Sequence, residues 1–332
     1  DLGQIEEKDF TDAHLDAVLA LPTVDVEAVR AAGFKVALDA VNSVGGIIMP
    51  RLLERMGVEC VCVNCEPTGE FAHNPEPLPS NLVELCEAVV ANGADFGISV
   101  DPDVDRLALI CENGQPFGEE YTLVSVADYL LSRIYNEALE TGKSIEEIAA
   151  PYQMVTSSNL SSSRALRDVT EQYGGEYCTA AVGEVNVTTK MREAGALIGG
   201  EGNGGVIYPA LHYGRDAMVG VALFLTNLAY KKMKVSELRA SYPEYVIAKN
   251  KIELSDSALI DRILEEVKTV YAAEDINTID GVKILFEAKK EWVHLRRSNT
   301  EPIIRIYAEA ATAEAADALA QQIIAIANKI IG

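Results

Sequence analysis

Hydrophobic residues fall into short apolar runs that alternate with amphipathic stretches. Near the N-terminus, residues 26–33 have the pattern of a helix, 35–39 of an apolar strand, 47–56 of a helix and 59–63 of the next strand. Two strands joined through a helix form a βαβ unit, which implies parallel pairing. The alternation of strands and helices continues toward residue 117, where we place the end of a first α/β domain.

That first domain closes with a helix near 81–92 and two further apolar runs, 94–100 and 107–111, which read as strands joined by a polar turn. A second α/β domain is expected over residues 118–244. Its predicted elements are a helix at 120–138, a strand within 149–156, a helix at 162–173, a strand at 196–199 and a helix at 216–232.

Residues 245–332 show a different order, in which strands dominate. The predicted strands are 248–254, 283–287, 291–295 and 303–308, and the predicted helices are 257–272 and 313–330. Consecutive strands without intervening helices favour a small antiparallel sheet. The predicted fold class is therefore α/β: two tandem α/β mixed-sheet domains followed by a smaller α+β C-terminal domain.

Composition and charge exclude several classes of partner. The 332 residues are 48% hydrophobic, enough for two or three domains that each bury a core. A net charge of -23 argues against nucleic acid or an anionic membrane as partner. No run of about 18 apolar residues and no signal peptide are visible. We therefore expect a cytoplasmic protein.

Six cysteines give no disulfide framework, which fits a reducing cytoplasm. Cys60, Cys62 and Cys65 lie on or next to a predicted strand, where cysteine is more often a small buried hydrophobe. A zinc site would need a fourth ligand, and none lies nearby in the sequence.

Asp101, Asp103 and Asp105 alternate in the turn between two predicted strands, and Arg106 follows at once. Three converging carboxylates repel one another strongly unless a cation joins them. Mg2+ is the natural candidate, and it commonly works together with substrate phosphates. The adjacent arginine strengthens this interpretation, because guanidinium groups clamp phosphate.

Two alternatives exist for this acidic loop (residues 101–106). Glu112 falls where a calcium-binding EF-hand has its last ligand, but Arg106 replaces the glycine of its sharp turn, and the flanks are strand-like. The loop could also be a solvated acidic turn without a ligand.

Two further loops carry candidate binding groups. The glycine-rich loop (residues 200–205) allows a ligand to approach the backbone closely. Its Glu201 and Asn203 suit sugar hydroxyls, although a plain glycine-rich hairpin is the alternative. The segment 296–302 has side chains able to surround a phosphate, against the alternative of a solvated hairpin. Its candidate phosphate ligands, with one arginine beyond it, are Arg296, Ser298, Asn299, Thr300 and Arg305.

Asp216 is expected to cap the helix that follows it, and the segment 212–216 is as consistent with a structural role as with a ligand role. Serines cluster at 157–163, but no histidine neighbours them, so no Ser-His-Asp triad is assigned.

Taken together, the three loops resemble the motifs of the α-D-phosphohexomutase family, which comprises phosphoglucomutases, phosphomannomutases and phosphoglucosamine mutases. The matching motifs, in order, are D-x-D-x-D-R, G-E-x-x-G-x and R-x-S-N-T-E-P. The resemblance covers essentially the whole chain. Gly183 falls at a further substrate loop of the family, and Asn203, where many relatives carry serine, points to the phosphoglucosamine or phosphomannose branch.

The resemblance also marks two departures. The family's first domain carries a phosphorylated serine in a T-A-S-H-N-P-like segment that this sequence lacks, so the chain corresponds to domains two to four. We expect it to be inactive alone and the full-length protein to supply the serine-bearing N-terminal domain. Ala181 stands where some members have a lysine general base; Lys190 or His212 could substitute for it.

The resemblance implies that phosphate moves between the 1 and 6 positions of a glucose, mannose or glucosamine phosphate, through phosphoserine and a hexose bisphosphate. Asp101, Asp103 and Asp105 would hold Mg2+, and Arg106 would steady the transferring group. Glu201 and Asn203 would bind the sugar. The phosphate that does not react would be gripped by Arg296, Ser298, Asn299, Thr300 and Arg305.

Two other functions fit part of the sequence. A Mg2+-dependent sugar phosphatase of the haloacid dehalogenase kind has a D-x-D-x-[TV] motif, which Asp105 breaks, and it leaves the segment 296–302 unexplained. A sugar-phosphate-binding module without catalysis would accord with the missing serine.

Overall fold

A computed structural model of the chain describes residues 3–4, 6–254, 258–298 and 303–331. The first part builds a mixed sheet of four strands, in which β1 pairs in parallel with β2 and β3, and β3 pairs antiparallel with β4. Its elements are α1 (Thr11–Leu19), α2 (Val26–Ala32), β1 (Lys35–Asp39), α3 (Gly45–Arg55), β2 (Glu59–Val63), α4 (Val83–Ala91), β3 (Phe96–Val100) and β4 (Leu107–Cys111).

The second part repeats this strand order. Here β5 pairs in parallel with β6 and β7, and β7 pairs antiparallel with β8. Its elements are α5 (Glu119–Thr141), α6 (Ile145–Ala149), β5 (Gln153–Asn159), α7 (Ala165–Gln172), β6 (Glu176–Ala180), α8 (Glu184–Ala194), β7 (Ala196–Glu201), β8 (Gly205–Ile207), α9 (Ala217–Lys231) and α10 (Val235–Ala240).

The third part is an antiparallel sheet in the order β10-β11-β12-β13-β9. Its elements are β9 (Val246–Glu253), α11 (Ala258–Val270), β10 (Asp275–Asn277), β11 (Val282–Phe286), β12 (Glu291–Arg297), β13 (Ile303–Ala310) and α12 (Ala313–Ile331). Two mixed sheets followed by an antiparallel one confirm the predicted fold class. The exact boundaries at 117 and 244 stay a prediction.

Two helices join the first two parts into one body. α5 is buried from Tyr121 to Leu131, and α9 from Ala217 to Ala229 except at Met218, because both helices are apolar around most of their circumference. A single hydrophobic cluster therefore contains side chains of both mixed sheets, whereas the third part has a separate cluster. The sequence led us to expect a separate core for each domain. The first two parts instead share their main cluster, and each mixed sheet adds a smaller cluster of its own.

Sequence patterns missed several short elements, and the reasons are local. α8 buries only Val187 and Met191, so its apolar stripe is weak. β6 has the mixed sequence EYCTA and is buried only at its last residue. The other elements that were not predicted are α1, α6, α10 and β10.

The cysteines on β2 and just after it do not follow the expectation of burial. Cys62 is exposed, and Cys60 and Cys65 are half-buried, because β2 is the edge strand of its sheet. All six cysteines are free thiols. None of the helices in the described part of the chain is both long and apolar enough to cross a bilayer.

Candidate active-site cleft

The acidic loop joins β3 to β4 and folds around Asp101, which is 1% exposed. Its Oδ1 accepts the backbone N–H groups of Asp105 and Arg106, each at 3.0 Å, and its Oδ2 accepts Arg106 Nε at 2.7 Å. Val104 has a φ of 61°, which is strained for a β-branched residue. The Val104 carbonyl accepts the Ala217 N–H at 3.0 Å, so the first residue of α9 also holds the loop.

The three aspartates of the loop present one carboxylate oxygen each within 4.8 Å of the others. Burial and the neighbouring Asp101 raise the pKa of Asp105 to about 6. Burial opposes ionisation of Asp101, but the hydrogen bonds from Arg106 outweigh it and lower the Asp101 pKa.

Asp105 Oδ1 is buried and has no hydrogen-bond partner among the described residues. A buried carboxylate oxygen without a partner costs free energy. A hard divalent cation would satisfy it, and a set of carboxylate oxygens is the donor set that Mg2+ prefers. The residues present therefore fit a bound Mg2+.

The structure contradicts the calcium alternative for this loop. Strands and not helices flank it, and Glu112, the residue at the position of the last EF-hand ligand, accepts the backbone N–H of Ser236 at 3.0 Å instead. Asp103 is exposed, as in a solvated turn, but Asp101 is fully buried and hydrogen-bonded.

Arg215 links the acidic loop to the glycine-rich loop, and sequence reasoning gave it no definite role. Its Nη2 donates a hydrogen bond to Asp105 Oδ2, and its Nη1 donates to Glu201 Oε2 at 2.9 Å. Its Nε lies 3.4 Å from Glu184 Oε2. Four charged side chains therefore form one cluster, called here the Arg215 cluster (Asp105, Glu184, Glu201 and Arg215). The sequence feature that could have pointed to Arg215 is that it is an arginine in a polar loop of a strongly acidic chain.

Backbone contacts bring the glycine-rich loop against the acidic loop. Arg106 and Gly205 form a β-bridge, and the Leu107 N–H donates to the Gly204 carbonyl at 3.0 Å. Gly204 has a φ of +89°, and a Cβ atom there would lie 2.4 Å from the Leu107 carbonyl oxygen. Glycine is therefore required for the two loops to meet.

Glu201 is held by protein groups on both carboxylate oxygens. Besides Arg215, its Oε1 accepts Asn159 Nδ2 at 2.9 Å and the Gly183 N–H at 3.3 Å. Asn203 Oδ1 accepts the Gly205 N–H at 3.2 Å, which closes the hairpin. Gly183, predicted to lie in a substrate loop, is thus in direct contact with the glycine-rich loop.

Arg296 on β12 and Arg305 on β13 are directly paired across the antiparallel ladder. Arg296 Nη1 lies 3.4 Å from Asp280 Oδ2, and Arg305 Nε is buried without a hydrogen-bond partner among the described residues. Like charges directly opposite each other destabilise a sheet. A bound phosphate would remove this repulsion and satisfy both guanidinium groups.

The rest of the predicted phosphate segment is only partly visible. Ser298 is buried, and its N–H donates to the Ile303 carbonyl at 3.0 Å, directly beyond the end of β12. Asn299 and Thr300 lie outside the described residues. Lys190 and His212, the possible substitutes for the general base, are not among the described residues that line the active-site cleft.

Residues from all three parts line one cleft of about 360 Å3. The acidic loop contributes Arg106, the glycine-rich loop Glu201 and Asn203, and the antiparallel sheet Arg296 and Arg305. The structure therefore brings together side chains that are far apart in the sequence. Sheet topology explains the meeting, because the acidic and glycine-rich loops each follow the carboxyl end of a central strand.

Glu120 and Lys249 are two of the four charged cleft side chains that sequence reasoning missed; the other two are Glu76 and Glu119. Glu120 Oε2 accepts the Ser163 N–H at 2.8 Å, and burial raises the pKa of Glu120 well above its usual value. Lys249 lies 2.6 Å from Glu119 and adds positive charge at the same wall. Neither residue stands in a recognisable motif.

Replacing Arg215 by methionine should lower the free energy of unfolding by up to about 3–5 kcal/mol, the range for removing one partner from a buried ion pair. Three carboxylates would then face one another without compensation. Urea unfolding measures the change. The control is Arg51→Met, which removes an ion pair with Asp12 at the surface, where about 1 kcal/mol or less is expected. Equal losses in the two variants would contradict a structural role for the Arg215 cluster.

Comparison with known proteins gives matches along the whole chain. Three domain models of the phosphoglucomutase/phosphomannomutase family match: alpha/beta/alpha domain II at residues 12–114, alpha/beta/alpha domain III at residues 126–245 and the C-terminal domain at residues 250–326.

Individual relatives agree. A phosphoglucomutase/phosphomannomutase of Thermococcus kodakarensis is 34% identical over 319 residues, 95% of this chain and 65% of the relative. A probable phosphoglucosamine mutase of Methanopyrus kandleri is 30% identical over 329 residues, 98% of this chain and 68% of the relative.

Among solved structures, a phosphoglucomutase/phosphomannomutase family protein from Burkholderia thailandensis superposes with a TM-score of 0.80 at 26% identity, covering 98% of this chain and 65% of that one. The chain thus spans about two thirds of the length of the relatives it matches. The D-x-D-x-D-R loop, the glycine-rich loop and the paired arginines of this cleft belong to a member of the phosphoglucomutase/phosphomannomutase family, that is, of the α-D-phosphohexomutases.

Proposed function

We propose that this chain forms the metal-binding, sugar-binding and phosphate-binding parts of a phosphohexomutase. The reaction moves phosphate between the 1 and 6 positions of a glucose, mannose or glucosamine phosphate through a phosphoserine and a hexose bisphosphate. The serine is supplied from outside this chain, which lacks the T-A-S-H-N-P-like segment. The ligands of the chain itself are hexose phosphate and hexose bisphosphate.

The observation that carries this proposal is the composition of the single cleft. The acidic loop, whose aspartates suit Mg2+, reaches it through Arg106, and a pair of facing arginines reaches it from the antiparallel sheet, with Glu201 and Asn203 also in its lining. A sugar with a phosphate at each end would match these groups: one phosphate for the acidic loop, the sugar ring for Glu201 and Asn203, and the other phosphate for the paired arginines. A simple phosphatase needs no second anion site.

The residues then have the following roles. Asp101, Asp103 and Asp105 hold Mg2+, which when bound withdraws charge from a phosphoryl group. Arg106, oriented by its bonds to Asp101, presents its guanidinium group to the transferring phosphoryl group in the cleft. The side chains of Asp101 and Arg106 are already held in place by their hydrogen bonds before a ligand binds. Such preorganised groups can stabilise the transferring phosphoryl group without first having to reorient.

The sugar and its other phosphate contact the remaining groups. Glu201 and Asn203 bind sugar hydroxyls. The phosphate that does not react is bound by Arg296, Ser298, Asn299, Thr300 and Arg305. Because the two ends of the cleft bind different phosphates of one intermediate, the sugar must turn over between the two transfer steps.

The chain alone is expected to bind glucose 1,6-bisphosphate in the presence of Mg2+ without converting glucose 1-phosphate to glucose 6-phosphate. Fusion to a serine-bearing first domain of the family should start the conversion, measured by a coupled assay, and Arg106→Ala in the fusion should abolish it. Release of inorganic phosphate by the chain alone would support the phosphatase alternative. Binding without turnover by the fused protein would support the non-catalytic module.

Mg2+ binding should depend on pH, since Mg2+ competes with the proton of Asp105. The pKa of Asp105 is raised to about 6, so the carboxyl is ionised above that pH and protonated below it. Calorimetry should therefore show Mg2+ affinity about tenfold weaker at pH 5 than at pH 7. Asp103→Ala should abolish binding, whereas Asp12→Ala, at the exposed acid of a surface pair, should leave it unchanged. A constant affinity between pH 5 and pH 7, or one that survives Asp103→Ala, would remove the assignment.

Arg296→Ala should weaken binding of a hexose phosphate by about 1.5–3 kcal/mol, the range for a hydrogen bond to a charged group. The matched control is Arg297→Ala on the same strand, because Arg297 is half-exposed and its guanidinium lies 3.3 Å from Asp261. Calorimetry at saturating Mg2+ measures both. If the two variants bind equally well, Arg296 does not contact the phosphate.

A further inference from the structure

A second cluster of metal-ligating side chains lies outside the cleft. His14 from α1 meets His212, in the loop after β8, and Asp216, the N-cap of α9 four residues later, although His14 lies about two hundred residues away in the sequence. His14 Nε2 lies 2.8 Å and His212 Nε2 3.0 Å from the same atom, Asp216 Oδ2. One ligand atom from each residue lies within 4.8 Å of the others.

The Asp216 carboxylate is fixed before any ligand arrives. Its Oδ1 accepts the Val219 N–H at 3.1 Å, which caps α9 as the sequence predicted, so Oδ2 points to the two imidazoles. Asp216 is 2% exposed, and a buried carboxylate needs compensating charge. A buried carboxylate oxygen that faces two imidazole nitrogens is available as a metal ligand.

The donor set differs in kind from that of the acidic loop. Two imidazole nitrogens and one carboxylate oxygen suit Zn2+ and its neighbours in the first transition row, whereas Mg2+ prefers oxygen alone. His14 is 29% and His212 42% exposed at the side chain, so solvent reaches the cluster from the histidine side. Three protein ligands with an open side leave room for a water molecule as the fourth.

The other two histidines show what an ordinary structural histidine looks like in this fold. His73 Nε2 lies 3.0 Å from the buried Asp39, but it is a single imidazole, and its Nδ1 is bonded to the Asn74 carbonyl. His294 has both ring nitrogens engaged, with Ser161 and with the Asp280 carbonyl. Only at Asp216 do two imidazoles, among the described residues, share one carboxylate.

We propose that His14, His212 and Asp216 form a binding site for one divalent transition-metal cation, with Zn2+ as the first candidate. The cation ties α1 to the N-terminus of α9. Asp216 directly follows Arg215, so the bound cation also braces the segment that carries the Arg215 cluster. The site is independent of the proposed mutase function and does not require the missing serine.

The test is a calorimetric titration with ZnCl2 in the presence of a large excess of MgCl2. The Mg2+ occupies the acidic loop and leaves the imidazoles free to bind Zn2+. Wild-type protein should bind one equivalent of Zn2+ at the cluster. His212→Gln and His14→Gln should each weaken binding at least about tenfold, since even loss of an outer partner of a metal ligand costs about 10–100-fold. His73→Gln, which removes the single imidazole beside Asp39, should bind Zn2+ as the wild type does.

The decisive variant is His212→Gln, because this half-exposed residue lies on a surface loop, whereas His14 also helps to dock α1. Zn2+ should raise the melting temperature of wild-type protein and of His73→Gln but not that of His212→Gln. No Zn2+ uptake by the wild type would overturn the proposal. Equal Zn2+ affinity in the wild type and His212→Gln would do the same.

Discussion

Charge compensation by Arg215 is the constraint on which the cleft depends. The chain carries a net charge of -23, yet Asp105, Glu184 and Glu201 converge on Arg215, and Glu201 among them lines the cleft that would accept an anionic ligand. Without a guanidinium between them, these carboxylates would repel one another in a partly dehydrated site. Arg215 allows the acidic loop and the glycine-rich loop to lie side by side. The proposed Mg2+ would compensate the negative charge that Arg215 leaves.

The shared core explains how this arrangement stays rigid. Because α5 and α9 are buried between the two mixed sheets, the loops at the ends of β3 and β7 are fixed relative to each other. The antiparallel sheet has its own core and reaches the second part through polar contacts, such as Lys283 Nζ to the Leu160 carbonyl at 2.7 Å. Two walls of the cleft thus belong to one body, and the wall of paired arginines belongs to another.

Sequence patterns predicted the parts of this architecture that are locally encoded. Apolar runs such as β3 and β4 are buried at every position. The alternating aspartates between them are typical of a metal-binding loop and rarely serve a purely structural purpose. The residues that sequence reasoning missed act over long distances. Arg215 and Glu120 stand in no motif, and their importance arises only when β7, α5 and the acidic loop meet. Cys62 was misjudged because a sequence does not reveal that β2 is an edge strand.

The most direct test of the single-cleft account is 31P NMR of a hexose 1,6-bisphosphate bound to the chain with Mn2+ in place of Mg2+. If the acidic loop and the paired arginines bind opposite ends of one molecule, both phosphorus resonances should be broadened by the paramagnetic ion, one more strongly than the other. The broadening should disappear in Asp103→Ala. Bound ligand whose two resonances are unaffected by Mn2+ would contradict the account.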